Sequence, residues 1–480
     1  MRHDVLLSLS LFLKNLGSSA ATRLGSAVLG FLLVVFMARQ WGAENFGDYS
    51  TTLSFFQLLQ QAPLLGLHLL VARDVAARPE FIHRDMATAA GLSVGIALLL
   101  ALAVGAIGEW LYPARLTAAL WLAGLALLPT AMTMVVEMVL VGQERLGLVA
   151  AVNIAESAIR LLTMVVLIHL GATLSQIVLA FLSLRIVALL LYMTDGRIRR
   201  LLRGWKFDVG RLWFYLRQSP IFCGIMLFSA AFSRFDIIFL SKLTTARDVA
   251  TYAVATRLFE VALMLPSILM VVLLPVFMRL FTRNRTLLEE FFRLVLRYGF
   301  ILGLPLAIIA AATSRQIVVG IFGEAFAAAI LPLQLLMFCA LLMAGNQLMA
   351  TLLLVFDLQR FDLYGLMVGT CVLTASLLLL IPSFGIAGAA SALLLGAFAQ
   401  FVARILILAS RTALRVEGVD VARLIAAGGI MIATIWFAPF PPPVAGLAGL
   451  ATYGIALWFL QAITASDLQT TKDIFSKSKA

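Results

Sequence analysis

Six arginines, Arg23, Arg160, Arg185, Arg234, Arg257 and Arg404, stand inside long apolar runs, in company with the carboxylates Glu137, Glu156, Asp236 and Glu260. An ionisable group at mid-bilayer costs about 2.5–3.5 kcal/mol on insertion scales, so it normally faces a watery cavity or a partner. A guanidinium fork can hold two oxygens of one phosphate at once. An excess of cations over carboxylates within the spans therefore suits an anionic, phosphate-bearing ligand.

The candidate ligand-binding residues are Arg23, Arg257, Glu260, Arg234, Asp236, Gln57, Gln61, Arg160 and Glu156. Arg23 has no carboxylate within reach on its own helix, and it lies on a polar stripe with Asn15, Ser19, Thr22 and Ser26. Ser50, Ser54, Gln57 and Gln61 form a second stripe, and Thr256, Arg257, Glu260 and Ser267 a third. Ser229, Ser233 and Asp236 add a fourth, with Arg234 close by. These faces are expected to line one central cavity. Structural readings compete with this one. Glu156 and Arg160, spaced i,i+4, could neutralise each other on one helix, as could Arg257 and Glu260. Asp236 and Arg234 could form a pair between helices. Arg185 and Arg404 lie near helix ends, where their long stems can carry the charge out to the interface. Glu137, also near an end, points to no role, and His68 and His169 read as structural.

The elements that must position these groups are membrane helices. The 480 residues are 62% hydrophobic and only 12% charged, with mean hydropathy +1.03. Runs of about 20 apolar residues, each long enough to cross a hydrocarbon core, recur from end to end. Expected spans are 16–39, 50–72, 88–111, 117–141, 148–170, 176–192, 219–241, 251–278, 296–313, 330–354, 363–381, 386–408, 421–438 and 444–462. The fold class is thus all-α integral membrane with about 14 helices, and Pro266 and Pro275 predict a kink in the eighth. Residues 1–13 read as a short interfacial segment ahead of an uncleaved first helix. Cys223, Cys339 and Cys371 fall in apolar runs without metal spacing, so neither a metal nor a disulfide framework is expected.

The net charge of +12 resides mainly in short loops, which argues for topology signals rather than nucleic-acid binding. With the N-terminus cytoplasmic, 25 of the 36 Lys and Arg residues fall on that side and five on the other. Both termini are therefore expected in the cytoplasm. Residues 193–218 carry seven basic residues interleaved with Leu201, Leu202, Trp205, Phe207, Leu212 and Trp213, as an interfacial helix on anionic membrane lipids would.

That linker separates an N-lobe, 1–192, from a C-lobe, 219–410, with two extra helices and a tail over 411–480. At an offset of 203, Phe36 meets Phe239, Arg39 meets Lys242, Tyr49 meets Tyr252, Phe56 meets Phe259 and Pro63 meets Pro266. A second register of 214–215 pairs Arg145 with Arg360 and Gly171 with Gly385. Two parallel six-helix repeats with a substrate path between them is a transporter architecture. No Gly-Lys dipeptide exists, which argues against direct ATP use. Glu44, Asp48, Glu109, Asp248 and Glu324 are scattered over short outer loops, which disfavours a membrane enzyme.

The segment Ala38-Arg39-Gln40-Trp41-Gly42-Ala43-Glu44-Asn45-Phe46-Gly47-Asp48-Tyr49 resembles the signature after the first helix of polysaccharide flippases of the MOP (multidrug/oligosaccharidyl-lipid/polysaccharide) exporter superfamily. Val71-Ala72-Arg73-Asp74, Ser233-Arg234-Phe235-Asp236, Gly323-Glu324-Ala325-Phe326 and Ile381-Pro382-Ser383-Phe384-Gly385-Ile386-Ala387-Gly388 continue the resemblance, which runs from about residue 15 to 410. Trp41 departs from it, since Leu or Phe is commoner there. The resemblance implies a bacterial inner-membrane flippase that moves an undecaprenyl-diphosphate-linked oligosaccharide by alternating access, without a cofactor. Arg23, Arg257 and Arg234 would hold the diphosphate, while Gln57 and Gln61 would contact sugar. A polysaccharide polymerase and glycosyltransferases are the expected protein partners. A lipid II flippase and a cation-coupled multidrug exporter are the alternatives.

Overall fold

The computed structural model describes residues 25–66, 71, 82–203, 206–412, 421–437 and 442–460. Arg23 with Asn15, Ser19 and Thr22 of its stripe, His68, the segment 1–13, Arg73 and Trp205 lie outside the described residues, as does the tail beyond 460. The described residues form α-helices and short 3-10 turns.

The helices are α1 (Gly25–Gln40), α2 (Ala43–Leu59), α3 (Ile82–Leu111), α4 (Ala114–Gly142), α5 (Leu146–His169) and α6 (Leu174–Met193). Next come α7 (Gly196–Arg203), α8 (Val209–Gln218), α9 (Pro220–Leu243), α10 (Ala246–Arg283), α11 (Arg285–Ala312) and α12 (Ser314–Phe322). The last are α13 (Ile330–Val355), α14 (Gln359–Arg411), α15 (Val421–Phe437) and α16 (Pro442–Phe459). Among the described residues nine helices are long and apolar enough to cross a membrane. One of them, α14, is two helices joined across Gly385, where φ is 53° and ψ −129°. Counting it twice, and adding α2 and the three shorter apolar helices α1, α15 and α16, gives fourteen, the number of spans expected. The protein is a multi-pass, all-α membrane protein. α10 runs as one helix through Pro266 and Pro275.

The chain divides into two compact units, Met1–Ala253 and Val254–Ala480. In the first, α2 packs on α9, and α3 packs on both halves of α4. Gly47 of α2 approaches the start of α10 so closely that a Cβ would collide with the Ala246 carbonyl. Small residues allow such backbone approaches where lipid supplies no hydrophobic driving force. Buried Trp41 donates its indole N–H to the Ala172 carbonyl at 3.2 Å and sets its ring edge-on to Tyr49. Its departure from the resembled pattern thus has a structural role: it ties the α1–α2 corner to the α5–α6 corner.

The basic linker is fastened to this unit. Asp85, 1% exposed in the first turn of α3, accepts from Arg211 Nε at 2.9 Å and from its Nη2 at 3.3 Å. Arg84 lies 3.5 Å from Asp208, whose backbone N–H donates to Thr88 at 3.2 Å. At the other end of the linker Asp195 pairs with Arg145 and caps Arg197 N–H, and both contacts hold its carboxyl below the usual range.

In the second unit α13 packs along α14 and α11, and α15 and α16 pair with each other and with α11. Tyr453 donates to the Ile301 carbonyl at 2.9 Å, docking α16 on α11. Arg404 is the polar centre of this unit. It is 4% exposed, bonded to Asp362 at 2.8 Å and to the Asn346 carbonyl at 3.0 Å. The expectation that it reaches out to the interface is corrected here: a partner inside the protein satisfies the charge more fully than a stretched stem could.

Backbone geometry repeats along the chain. α1 and α9 end at Gln40 and Leu243, and α2 and α10 begin at Ala43 and Ala246, all at the offset of 203. Glu144 and Asp357 share left-handed conformations at φ 59° and 58°. The turn at Glu144 is closed by bonds from residues 143, 144 and 145 to carbonyls 139, 141 and 140, and the turn at Asp357 by 356, 357 and 358 to 352, 354 and 353. This is one helix stop, used twice at a spacing of 213. Gly171 and Gly385, the second pair read from sequence, both have positive φ.

Removing Asp362 (Asp362→Leu) would leave Arg404 buried and uncompensated, a loss of about 3–5 kcal/mol. Thermal unfolding in detergent should show it, and adding Arg404→Leu should recover much of the loss. The Asp195–Arg145 bond contributes fully above about pH 3.9, the unfolded carboxylate value, and fades as pH falls through the lower folded value. Asp195→Asn should therefore lower the melting temperature at neutral pH and leave it unchanged in strong acid.

Candidate functional site

Within the first unit, α4, α5 and α6 bring polar residues to one cluster, and α2 adds the ring of Phe56. Glu156 on α5 meets Arg185 on α6 at 3.3 Å. The Arg185 guanidinium lies over the rings of Phe56 and Phe181, at 5.4 and 5.2 Å, and those two rings are themselves edge-to-face at 4.9 Å. Ring faces carry negative potential, so they extend the stabilisation that one carboxylate supplies. Glu137 on α4 accepts from Tyr192 Oη at 2.9 Å and from Asn153 Nδ2 at 3.1 Å. Glu156 and Tyr192 are buried.

Arg160 sits one turn beyond Glu156 on α5. The i,i+4 pairing of the two is not the one adopted, because Glu156 turns to Arg185 on the next helix. Arg160 is half-buried, its Nε is enclosed without a hydrogen-bond partner, and it makes no ion pair among the described residues. Gln57, beside Phe56 on α2, and Gln61, which precedes the 3-10 turn Ala62–Leu64, are half-buried.

Asp236 on α9 is 2% exposed and accepts from Tyr252 Oη at 2.9 Å, which joins α9 to α10. Arg234 lies half-buried two residues earlier. In the second unit Arg257 and Glu260 pair along α10 at 2.7 Å, with side chains 25% and 30% exposed. Here the intrahelical alternative is the one adopted. Ser267, two turns on, reaches Gln347 of α13 at 3.3 Å.

The structure thus brings Glu156 close to Arg185, pairs Arg257 with Glu260 and places Asp236 on Tyr252. Arg160, unlike Arg185, Arg257 and Arg404, makes no ion pair among the described residues; an enclosed Nε without a hydrogen-bond partner it shares with Arg185 and Arg257. Reasoning along one helix at a time missed Arg185 and the Glu137–Tyr192–Asn153 bonds, because their partners are on other helices. The available signal was the run of carboxylates Glu137 and Glu156 in adjacent spans, each needing a donor. A groove of about 550 Å³ between α5 and α6 is lined by Thr163, Leu167, Gln176, Leu179 and Ser183, with no charged residue among its lining. Among the described residues no three His, Cys, Asp or Glu side chains converge as a metal site would require.

Arg185→Leu should lower the yield of folded protein by stranding Glu156, and Glu156→Leu in the same chain should restore it. Detergent size-exclusion profiles of the single and double variants provide the measurement. Equal profiles for wild type and Arg185→Leu would show that the pair is not structural.

Residues 12–281 match the family described as polysaccharide biosynthesis protein. No curated protein matches the sequence. Among solved structures the chain is similar to the lipid II flippase MurJ in an inward closed conformation, with TM-score 0.72 and 12% identity over 92% of this chain and 98% of that one. It is also similar to an inward-facing multidrug resistance MATE transporter of the MOP superfamily, with TM-score 0.65 and 14% identity over 81% and 96% of the two chains. A MOP superfamily transporter from Pyrococcus furiosus, whose binding pocket is described as having reverse polarity, matches with TM-score 0.58 and 14% identity, over 85% and 96%. At these low identities the likeness, by its TM-scores, shows the fold alone, that of MOP superfamily transporters. More than half of the sequence matches the family itself, and the chain belongs to the polysaccharide biosynthesis protein family.

Proposed function

We propose that the protein is a Wzx-like flippase that carries an undecaprenyl-diphosphate-linked oligosaccharide, an O-antigen or exopolysaccharide unit, across the bacterial inner membrane by alternating access. The observation that carries this reading is Arg160, a half-buried cation inside a span that makes no ion pair among the described residues and whose enclosed Nε has no hydrogen-bond partner. An ion left uncompensated in hydrocarbon is costly, and a bound phosphate would remove that cost. Arg257, part-exposed beside Glu260, can turn from its carboxylate to a substrate oxygen at little cost. Family membership supports the substrate class. In this reading Arg23, Arg160, Arg257 and Arg234 hold the diphosphate. Gln57 and Gln61 contact sugar, and Glu260, Asp236 and Glu156 set the orientation of the arginines. Both termini lie in the cytoplasm, and a polysaccharide polymerase and glycosyltransferases act beside the protein.

The likeness to MurJ favours one second reading, transport of lipid II. The likeness to MATE structures keeps cation-coupled drug export as a third.

A chromosomal deletion complemented with variants tests the proposal. Arg160→Ala and Arg257→Ala should each cut surface polysaccharide at least tenfold at normal protein levels, read on gels of whole-cell extracts. Wild-type polysaccharide from both variants would sink the anion-binding reading. Viable deletion cells lacking surface polysaccharide fit the proposal, whereas lethality would indicate lipid II.

A further inference from the structure

The linker helix α8 wears its faces the wrong way round for water. Val209 and Trp213, one turn apart, are 59% and 68% exposed, and Phe207 just ahead is 56% exposed. The opposite face points a charge inward: Arg211 is held by buried Asp85, and Tyr215 beside it is fully buried. A helix bathed by water would bury the tryptophan and expose the arginine. The bonds of Arg211 to Asp85 and of the Asp208 N–H to Thr88 fix this rotation, so the outward apolar face is built in.

Charge on the same segment is one-sided. Its carboxylates are already engaged, Asp195 with Arg145 and Asp208 with Arg84. Arg197, Arg199 and Arg200 on α7, Lys206, and Arg217 on α8 all remain exposed. The segment leaves one membrane-spanning helix, α6, and enters another, α9, so chain connectivity keeps it at the boundary of the bilayer. Exposed aromatic and aliphatic groups amid basic residues at that depth match a surface of anionic headgroups over acyl chains.

We propose that α7 and α8 form a preformed docking face for anionic phospholipid. Val209, Trp213 and Phe207 enter the headgroup layer, and the exposed basic side chains pair with lipid phosphates. The face binds lipid whatever cargo the protein carries, so it stands or falls apart from the flippase reading.

The test uses the full chain with Cys223, Cys339 and Cys371 replaced by Ala and a nitroxide attached at Val209→Cys. The protein is placed in nanodiscs of phosphatidylcholine alone or of equimolar phosphatidylcholine and phosphatidylglycerol. Power saturation compares access of oxygen, which partitions into lipid, with access of a nickel chelate, which stays in water. The expected result is a several-fold preference for oxygen with phosphatidylglycerol. That preference should be lost in phosphatidylcholine alone and in a variant carrying R197Q, R199Q, R200Q, K206Q and R217Q. A label open to nickel in every disc overturns the proposal. So does an oxygen preference that ignores composition and charge, since the anionic lipid is then irrelevant. Shielding from both reagents would mean that protein covers the face, and this also overturns it. As a second readout free of cysteine replacement, phosphatidylglycerol added to the unlabelled protein in detergent should raise its melting temperature. Phosphatidylcholine should not, and the charge variant should lose the response.

Discussion

Compensation of charge inside hydrocarbon is the constraint on which this structure depends. A guanidinium cannot be neutralised at ordinary pH, so each one carried into a span must find an acceptor on a neighbouring helix or retain access to water. Arg404 finds Asp362 and the Asn346 carbonyl, joining three helical segments of the second unit. Arg185 finds Glu156 and two ring faces, joining α2, α5 and α6 in the first. These contacts add specificity of packing where the lipid offers no hydrophobic drive between helices.

Against that background the exceptions carry the functional argument. Arg160 is not compensated among the described residues, and the Arg257–Glu260 pair is part-exposed on a single helix, where exchange of partner costs little. Charges paired between helices hold each unit together, and Arg160 and the Arg257–Glu260 pair are the ones that the proposed function calls on. The same logic operates outside the spans. Asp85 and Asp208 draw arginines of the linker inward, so the side chains left outward are apolar and basic.

Much of this was legible in the sequence because hydropathy and turn chemistry act locally. Apolar runs set the helices, and left-handed turns after fixed lengths of helix set their ends. The offset of 203 seen in Phe36 and Phe239 reappears in the helix boundaries. Gly171 and Gly385, matched by letter alone, both adopt the positive φ that glycine tolerates. Trp41 looked like a neutral departure, and its bond to Ala172, 131 residues away, could not be read locally.

What the sequence by itself determined is therefore the class of the protein, its span count and which residues carry charge into the membrane. Composition and period fix those, because each span must satisfy its own backbone within itself. Only the tertiary structure decided the partners of those charges. Glu156 had Arg160 one turn away on its own helix and took Arg185 on the next helix instead. Arg257 and Glu260, with equally simple spacing, stayed together. Side-chain charges within a helix are offered several acceptors at similar distance, and the packing of neighbouring helices selects among them.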